Sequence, residues 1–184
     1  MSGGELSAEE RRTLLRVARN AIECRLAGRE AARPPVGSAL ERSQGAFVTL
    51  KRRADGELRG CIGLVEPHQA LFDAVARAAA AAATEDGRFE PVTPGELPGI
   101  AVEISVLGPL RTVRPEEVEV GRHGLLVRSG RRQGLLLPQV AGDHGWDRET
   151  FLDKACWKAG LPEDSWRKPG TEIQAFTADV FGEE

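Results

Sequence analysis

The dipeptide Asp55-Gly56 sits between two short runs rich in β-forming residues, residues 46–53 and 57–63. Asp-Gly is among the strongest short-range hairpin signals, because a tight turn joining antiparallel strands needs positive φ. This pair commits the first half of the chain to an antiparallel hairpin. On the first strand Val48 and Leu50 share one face, and Phe47, Thr49 and Lys51 share the other. On the second, Leu58, Gly60 and Ile62 share one face, which leaves Arg59 and Cys61 on the opposite one.

The other elements arrange themselves around that hairpin. Ser7-Ala8-Glu9-Glu10 is a capping box, and Leu14, Ala18, Ala21, Ile22 and Leu26 mark the apolar stripe of the helix it opens. Gly28 and then Pro34-Pro35 end that helix. Pro67 opens a second helix through about Thr84, with His68 in its first turn. Residues 85–98 read as a long connection of the kind that carries function in compact domains. Residues 100–107 alternate as a strand, with Glu103 and Ser105 on its less apolar face. Residues 115–118 read as a short helical turn, and a second hairpin spans residues 124–128 and 133–137 around Ser129-Gly130. Asp147 caps a third helix ending at Gly160, and residues 172–181 read as one final strand. The order predicts an α+β fold, an antiparallel or mixed sheet flanked by helices.

Composition narrows the function classes. A chain of 184 residues with 41% hydrophobic and 29% charged residues fits one globular domain, residues 1–184. The net charge of −3 argues against a dedicated nucleic-acid binder. The basic clusters Lys51-Arg52-Arg53 and Arg131-Arg132 read as solvated hairpin ends. No apolar run reaches the length of a membrane span. Cys24, Cys61 and Cys156 are odd in number and unpaired by spacing, and no leader is read at the start, which points to free thiols in a reducing cytoplasm. The three His and three Cys are scattered without zinc-site spacing, so no metal and no cofactor is expected. Trp146, Trp157 and Trp166 read as packing anchors.

Leu58-Arg59-Gly60-Cys61-Ile62-Gly63 is the sharpest chemical candidate. Gly60 and Gly63 leave Cys61 little cover and allow a ligand or backbone to approach closely. Arg59 lies on the same face, roughly 6.5–7 Å along the strand, where a guanidinium would favour the reactive thiolate. Two readings follow: a small packed strand residue, or a nucleophile, redox-sensitive or ligand-contacting thiol with Arg59 holding an anion. A nucleophile needs a base, and His123 in Gly121-Arg122-His123-Gly124 or Glu103 would serve. His123 equally reads as a turn histidine, and Glu103 as a residue of a wet sheet face. Arg88 reads as a bidentate anion binder or as a clasp to Asp86 or Glu90.

Several long stretches together resemble the AMMECR domain family, known in prokaryotes as AmmeMemoRadiSam system protein A. They are Gly45-Ala46-Phe47-Val48-Thr49-Leu50, the Cys61 hexapeptide, Arg88-Phe89-Glu90-Pro91-Val92 and Glu103-Ile104-Ser105-Val106-Leu107. Gly121-Arg122-His123-Gly124, Leu137-Pro138-Gln139-Val140-Ala141, Gly145-Trp146-Asp147 and Lys158-Ala159-Gly160-Leu161 follow in order. The resemblance implies a large sheet-and-helix lobe, a smaller lobe and a cleft between them, with the Cys61 hexapeptide as the family hallmark. It implies no reaction. It does imply association with a Memo-like protein and a radical SAM protein. Asp86-Gly87-Arg88-Phe89 departs from the family's Asp-Pro-Arg-Phe. Two functions remain in view. One is a binding or adaptor module that takes a small-molecule or peptide ligand, with Arg59, Gly60, Gly63 and Arg88 in contact. The other is an enzyme acting through Cys61.

Overall fold

The computed structural model describes residues 6–33, 39–65 and 68–183. Pro34-Pro35, Gly37 and Pro67, to which the sequence reading gave helix-breaking, loop and helix-opening roles, lie outside these. The chain forms two compact units, residues 1–107 with 179–184, and residues 108–178.

The first unit is built on a four-stranded sheet. Helix α1 (Ala8–Leu26) has the expected capping box: Glu10 donates its amide to Ser7 Oγ at 3.2 Å, and Ser7 donates its own to Glu10 Oε2 at 2.7 Å. Gly28, at φ 65°, follows the helix end. Strands β1 (Ala46–Arg52) and β2 (Leu58–Leu64) form the hairpin, with Gly56 at φ 74° in the turn. Helix α2 (Leu71–Thr84) starts later than Pro67 predicts, so His68 precedes the helix instead of sitting in its first turn. Strand β3 (Ile100–Leu107) pairs antiparallel with β1, and the sheet order is β2-β1-β3-β8, where β8 is Ala178–Gly182.

One face of this sheet makes the core. Val48, Leu50, Ile62, Val102 and Ile104 pack with Leu14, Ile22, Leu71 and Val75 from the two helices. Gly60 is essential to that fit, because a Cβ on it would lie 2.2 Å from the backbone oxygen of Ala82. Helix α2 therefore rests directly on the β2 backbone, and only glycine leaves room for it.

The second unit has a sheet of order β4-β7-β5-β6, from β4 (Arg111–Thr112), β5 (Gly124–Ser129), β6 (Arg132–Leu136) and β7 (Glu172–Phe176). Helices α3 (Pro138–Asp143) and α4 (Arg148–Lys158) accompany it, and Asp147 caps α4 through the Thr150 amide at 2.8 Å. Its core joins Leu125, Val127, Phe151, Leu152, Cys156 and Ile173, with Trp146 and Trp166 packed against it. Trp157 corrects the sequence reading: it is 66% exposed and anchors nothing here.

The class is α+β, with antiparallel strand pairing in both sheets. The expected last strand is in fact two, β7 and β8 (Ala178–Gly182), which join different sheets. Thr177 breaks the run, its carbonyl accepting from the Gly108 amide at 2.7 Å. Alternating apolar residues on both sides of Thr177 made one strand and two indistinguishable by pattern.

Candidate functional site

The sheet face opposite the helices carries the candidate chemistry. Thr49 lies opposite Cys61 on β2 and opposite Glu103 on β3, so the three form one row across the strands. Thr49 Oγ1 and Cys61 Sγ are 3.3 Å apart and share a hydrogen bond. Lys51 Nζ donates to Glu103 Oε2 at 2.8 Å on the same face. Phe47 lies over Gly63, where a Cβ would meet its ring at 2.2 Å. Gly63 thus accommodates an aromatic ring, and Gly60 on the other face accommodates a helix.

β2 is the outer strand of its sheet, and the connection after α2 binds its open edge. Asp86, a buried acid, accepts the Cys61 amide on Oδ2 at 2.9 Å. Arg88 donates to both oxygens of Asp86, from Nε at 2.9 Å and from Nη2 at 2.7 Å. Its Nη2 also lies 3.5 Å from the Cys61 carbonyl oxygen. Arg88 is therefore the clasp that its spacing allowed. The guanidinium beside Asp86, with the amides of Cys61 and Arg88, holds that carboxyl far below the usual carboxylate range.

Arg59 corrects its expected role. Its guanidinium donates from Nη1 to the Glu90 carbonyl at 2.8 Å and from Nε and Nη2 to Glu96 Oε1, both at 3.2 Å. Its partners are the connection, not the thiol. Cys61 is pushed up from the ordinary thiol value, chiefly by burial. The Thr49 hydrogen bond and the Arg88 charge pull it down, while Asp86 and Glu103 push it further up. A strand neighbour two residues away shares a face, but the long arginine side chain followed the nearest carboxylate instead.

The structure brings Arg59, Gly60, Cys61, Gly63, Arg88 and Glu103 into the first unit. Glu103 stands two strands from Cys61, roughly 10 Å away at ordinary strand spacing. His123 belongs to the second unit. There its Nδ1 accepts the Glu119 amide at 3.1 Å and its own amide donates to the Glu119 carbonyl at 2.9 Å, the arrangement of a turn histidine. Two residues of the site were not singled out from sequence. Strand alternation puts Thr49 on the correct face but gives it no role, and spacing offers Asp86 only as a partner of Arg88. Among the described residues no group of three or more His, Cys, Asp or Glu side chains could hold a metal, and no helix is long and apolar enough to cross a membrane.

These features define a two-unit α+β protein whose most distinctive element is a cysteine-bearing outer strand clasped by an Asp-x-Arg turn. The chain belongs to the AMMECR1 family, whose model it matches over residues 15–181. It is 48% identical to protein MK0488 of Methanopyrus kandleri, covering 99% of this chain and 92% of that one. It is 42% identical to protein MJ0810 of Methanocaldococcus jannaschii, covering 97% and 92%. The crystal structure of the uncharacterized protein PH0010 from Pyrococcus horikoshii is similar with a TM-score of 0.88 at 43% identity, over 94% of this chain and 90% of that one.

Proposed function

We propose that this chain is a non-catalytic binding module, which takes a small-molecule or peptide ligand through the polar face of β2, β1 and β3. It works there in company with a Memo-like protein and a radical SAM protein. The observation that carries this reading is the state of Cys61. Burial pushes its thiol above the ordinary value, and each charged group that acts on it is already paired: Arg88 with Asp86, and Glu103 with Lys51. A nucleophilic cysteine needs the opposite arrangement, an electropositive pocket and a base with a free lone pair. Thr49, Lys51, Cys61 and Glu103 instead offer donors and acceptors of both signs, which suits recognition. The resemblance stated from sequence supplies the partners.

The test has two arms. In a chain carrying Cys24→Ala and Cys156→Ala, alkylation of Cys61 is followed against pH. A rate that stays low at neutrality and rises only beyond the ordinary thiol value, about 8.5, fits a binding module. A thiolate already formed at neutral pH overturns it in favour of catalysis. Calorimetry against the Memo-like and radical SAM proteins tests the partner assignment, and no binding to either, singly or together, removes it.

A further inference from the structure

The outer strand β2 presents main-chain groups to the side away from β1, as any sheet edge does. Cys61 turns its amide outward to Asp86, and by strand alternation Gly63 turns its groups the same way. Asp86 supplies an acceptor to the Cys61 amide, and Arg88 brings a donor to the Cys61 carbonyl. This is the pair of groups that one residue of a neighbouring strand would offer. Further along, Arg59 ties down the Glu90 carbonyl and Glu96, and the Val92 amide donates to the Ala83 carbonyl at 2.8 Å. Residues 86–96 therefore follow the β2 edge, fixed by side chains, without forming a strand.

We propose that residues 86–96 are a strap that keeps the β2 edge closed to a second copy of this chain. The occupant follows from the sequence of the strand. Antiparallel pairing of two β2 strands about Cys61 sets Cys61 opposite Cys61, Gly60 opposite Ile62, Arg59 opposite Gly63 and Leu58 opposite Leu64. The single charge meets glycine and not its own copy, and each leucine meets a leucine. Leu58 is already 39% exposed. β2 holds no proline and no lysine, two common protections of an edge, so the strap supplies the protection from outside the strand. Releasing the Asp86–Arg88 clasp converts a closed edge into a self-complementary one.

Sedimentation velocity and cross-linking with a short bismaleimide test this, in the Cys24→Ala, Cys156→Ala background. The parent should sediment as a monomer and resist cross-linking. The variant Asp86→Ala with Arg88→Ala should associate with rising concentration and cross-link through Cys61, and Cys61→Ser should abolish the cross-link while leaving the dimer. Gly60→Ala, which weakens the unit but leaves the clasp, should remain monomeric. If the double variant does not fold, Arg88→Ala alone decides, since it keeps the Asp86 bond to Cys61; its cross-linking should exceed the parent's by about tenfold. Folded clasp variants that stay monomeric, associate without a Cys61 cross-link, or match the parent rate overturn the proposal, as does a parent that already cross-links through Cys61.

Discussion

The carboxylate of Asp86 accepts the backbone amide of Cys61 across 25 residues of sequence, at 2.9 Å. One acid thereby joins the connection after α2 to the strand that carries Cys61. The same acid is held by Arg88, so two charge-assisted contacts meet on one buried group. Asp86→Ala should destabilise the chain by about 1–3 kcal/mol, because it leaves the Cys61 amide without its acceptor, while the half-exposed Arg88 guanidinium passes to water. The shift in urea midpoint at neutral pH measures this.

Asp86 also predicts a pH dependence. Its carboxyl titrates lower in the folded chain than in the unfolded one. As pH falls below the unfolded value, about 3.9, the unfolded chain takes up a proton that the folded chain refuses, so stability falls with pH in that window. The contribution is complete above it and is lost as pH approaches the depressed folded value. Asp86→Asn removes this contribution, and its urea midpoint should therefore decline less steeply between pH 5 and about pH 2 than that of the parent. Equal slopes would show that Asp86 is not the titrating group.

The Thr49 hydroxyl is the nearest group that favours the Cys61 thiolate. Thr49→Val keeps the shape of this buried position and removes that hydrogen bond. The thiol should then move further up, and alkylation at a fixed alkaline pH should slow. An unchanged or faster rate would mean that the hydroxyl accepts from the thiol instead of stabilising the thiolate.

The distribution of what was legible has a physical cause. The capping box at Ser7, the Asp55-Gly56 hairpin and the Asp147 cap were readable because each is decided within a few residues. The two faces of β2 were readable too, since alternation needs no knowledge of neighbours. The partner of Arg59 was not, because a long flexible side chain chooses among carboxylates that only the fold brings near. Nor was the role of Asp86: sequence offered it as a partner for Arg88, while its bond to Cys61 exists only because β2 is an outer strand. Sheet order, which fixes that, rests on contacts remote in sequence. The division of residues 172–181 between two sheets escaped for the same reason.

Gly60 is where helix α2 meets the β2 backbone, and its neighbours there are main-chain atoms that cannot rotate aside. Gly60→Ala should cost about 1–3 kcal/mol, through displacement of the helix from the strand. Gly87→Ala, at an open position on the connection after α2, is the control and should not destabilise. Denaturant midpoints of the two variants make the comparison, and a Gly60→Ala chain as stable as the parent would refute the close approach.

Gly87 itself departs from the Asp-Pro-Arg-Phe pattern that this stretch resembles. The Phe89 amide donates to the Asp86 carbonyl at 3.0 Å, which closes a turn with Gly87 in its second position and Arg88 in its third. Arg88 does not have positive φ, so the turn is not of the type that needs glycine at the third position. Proline suits the second position of such a turn, and a Cβ on Gly87 meets nothing within 4 Å. Gly87→Pro should therefore stabilise the chain by about 0.4–1 kcal/mol, by restricting the unfolded state without disturbing the folded one. Because the turn positions both Asp86 and Arg88, the same substitution should slow hydrogen exchange of the Cys61 amide. A gain in midpoint without slower exchange at Cys61 would separate the turn from the clasp; a loss of stability would show that the backbone at Gly87 adopts a conformation proline cannot.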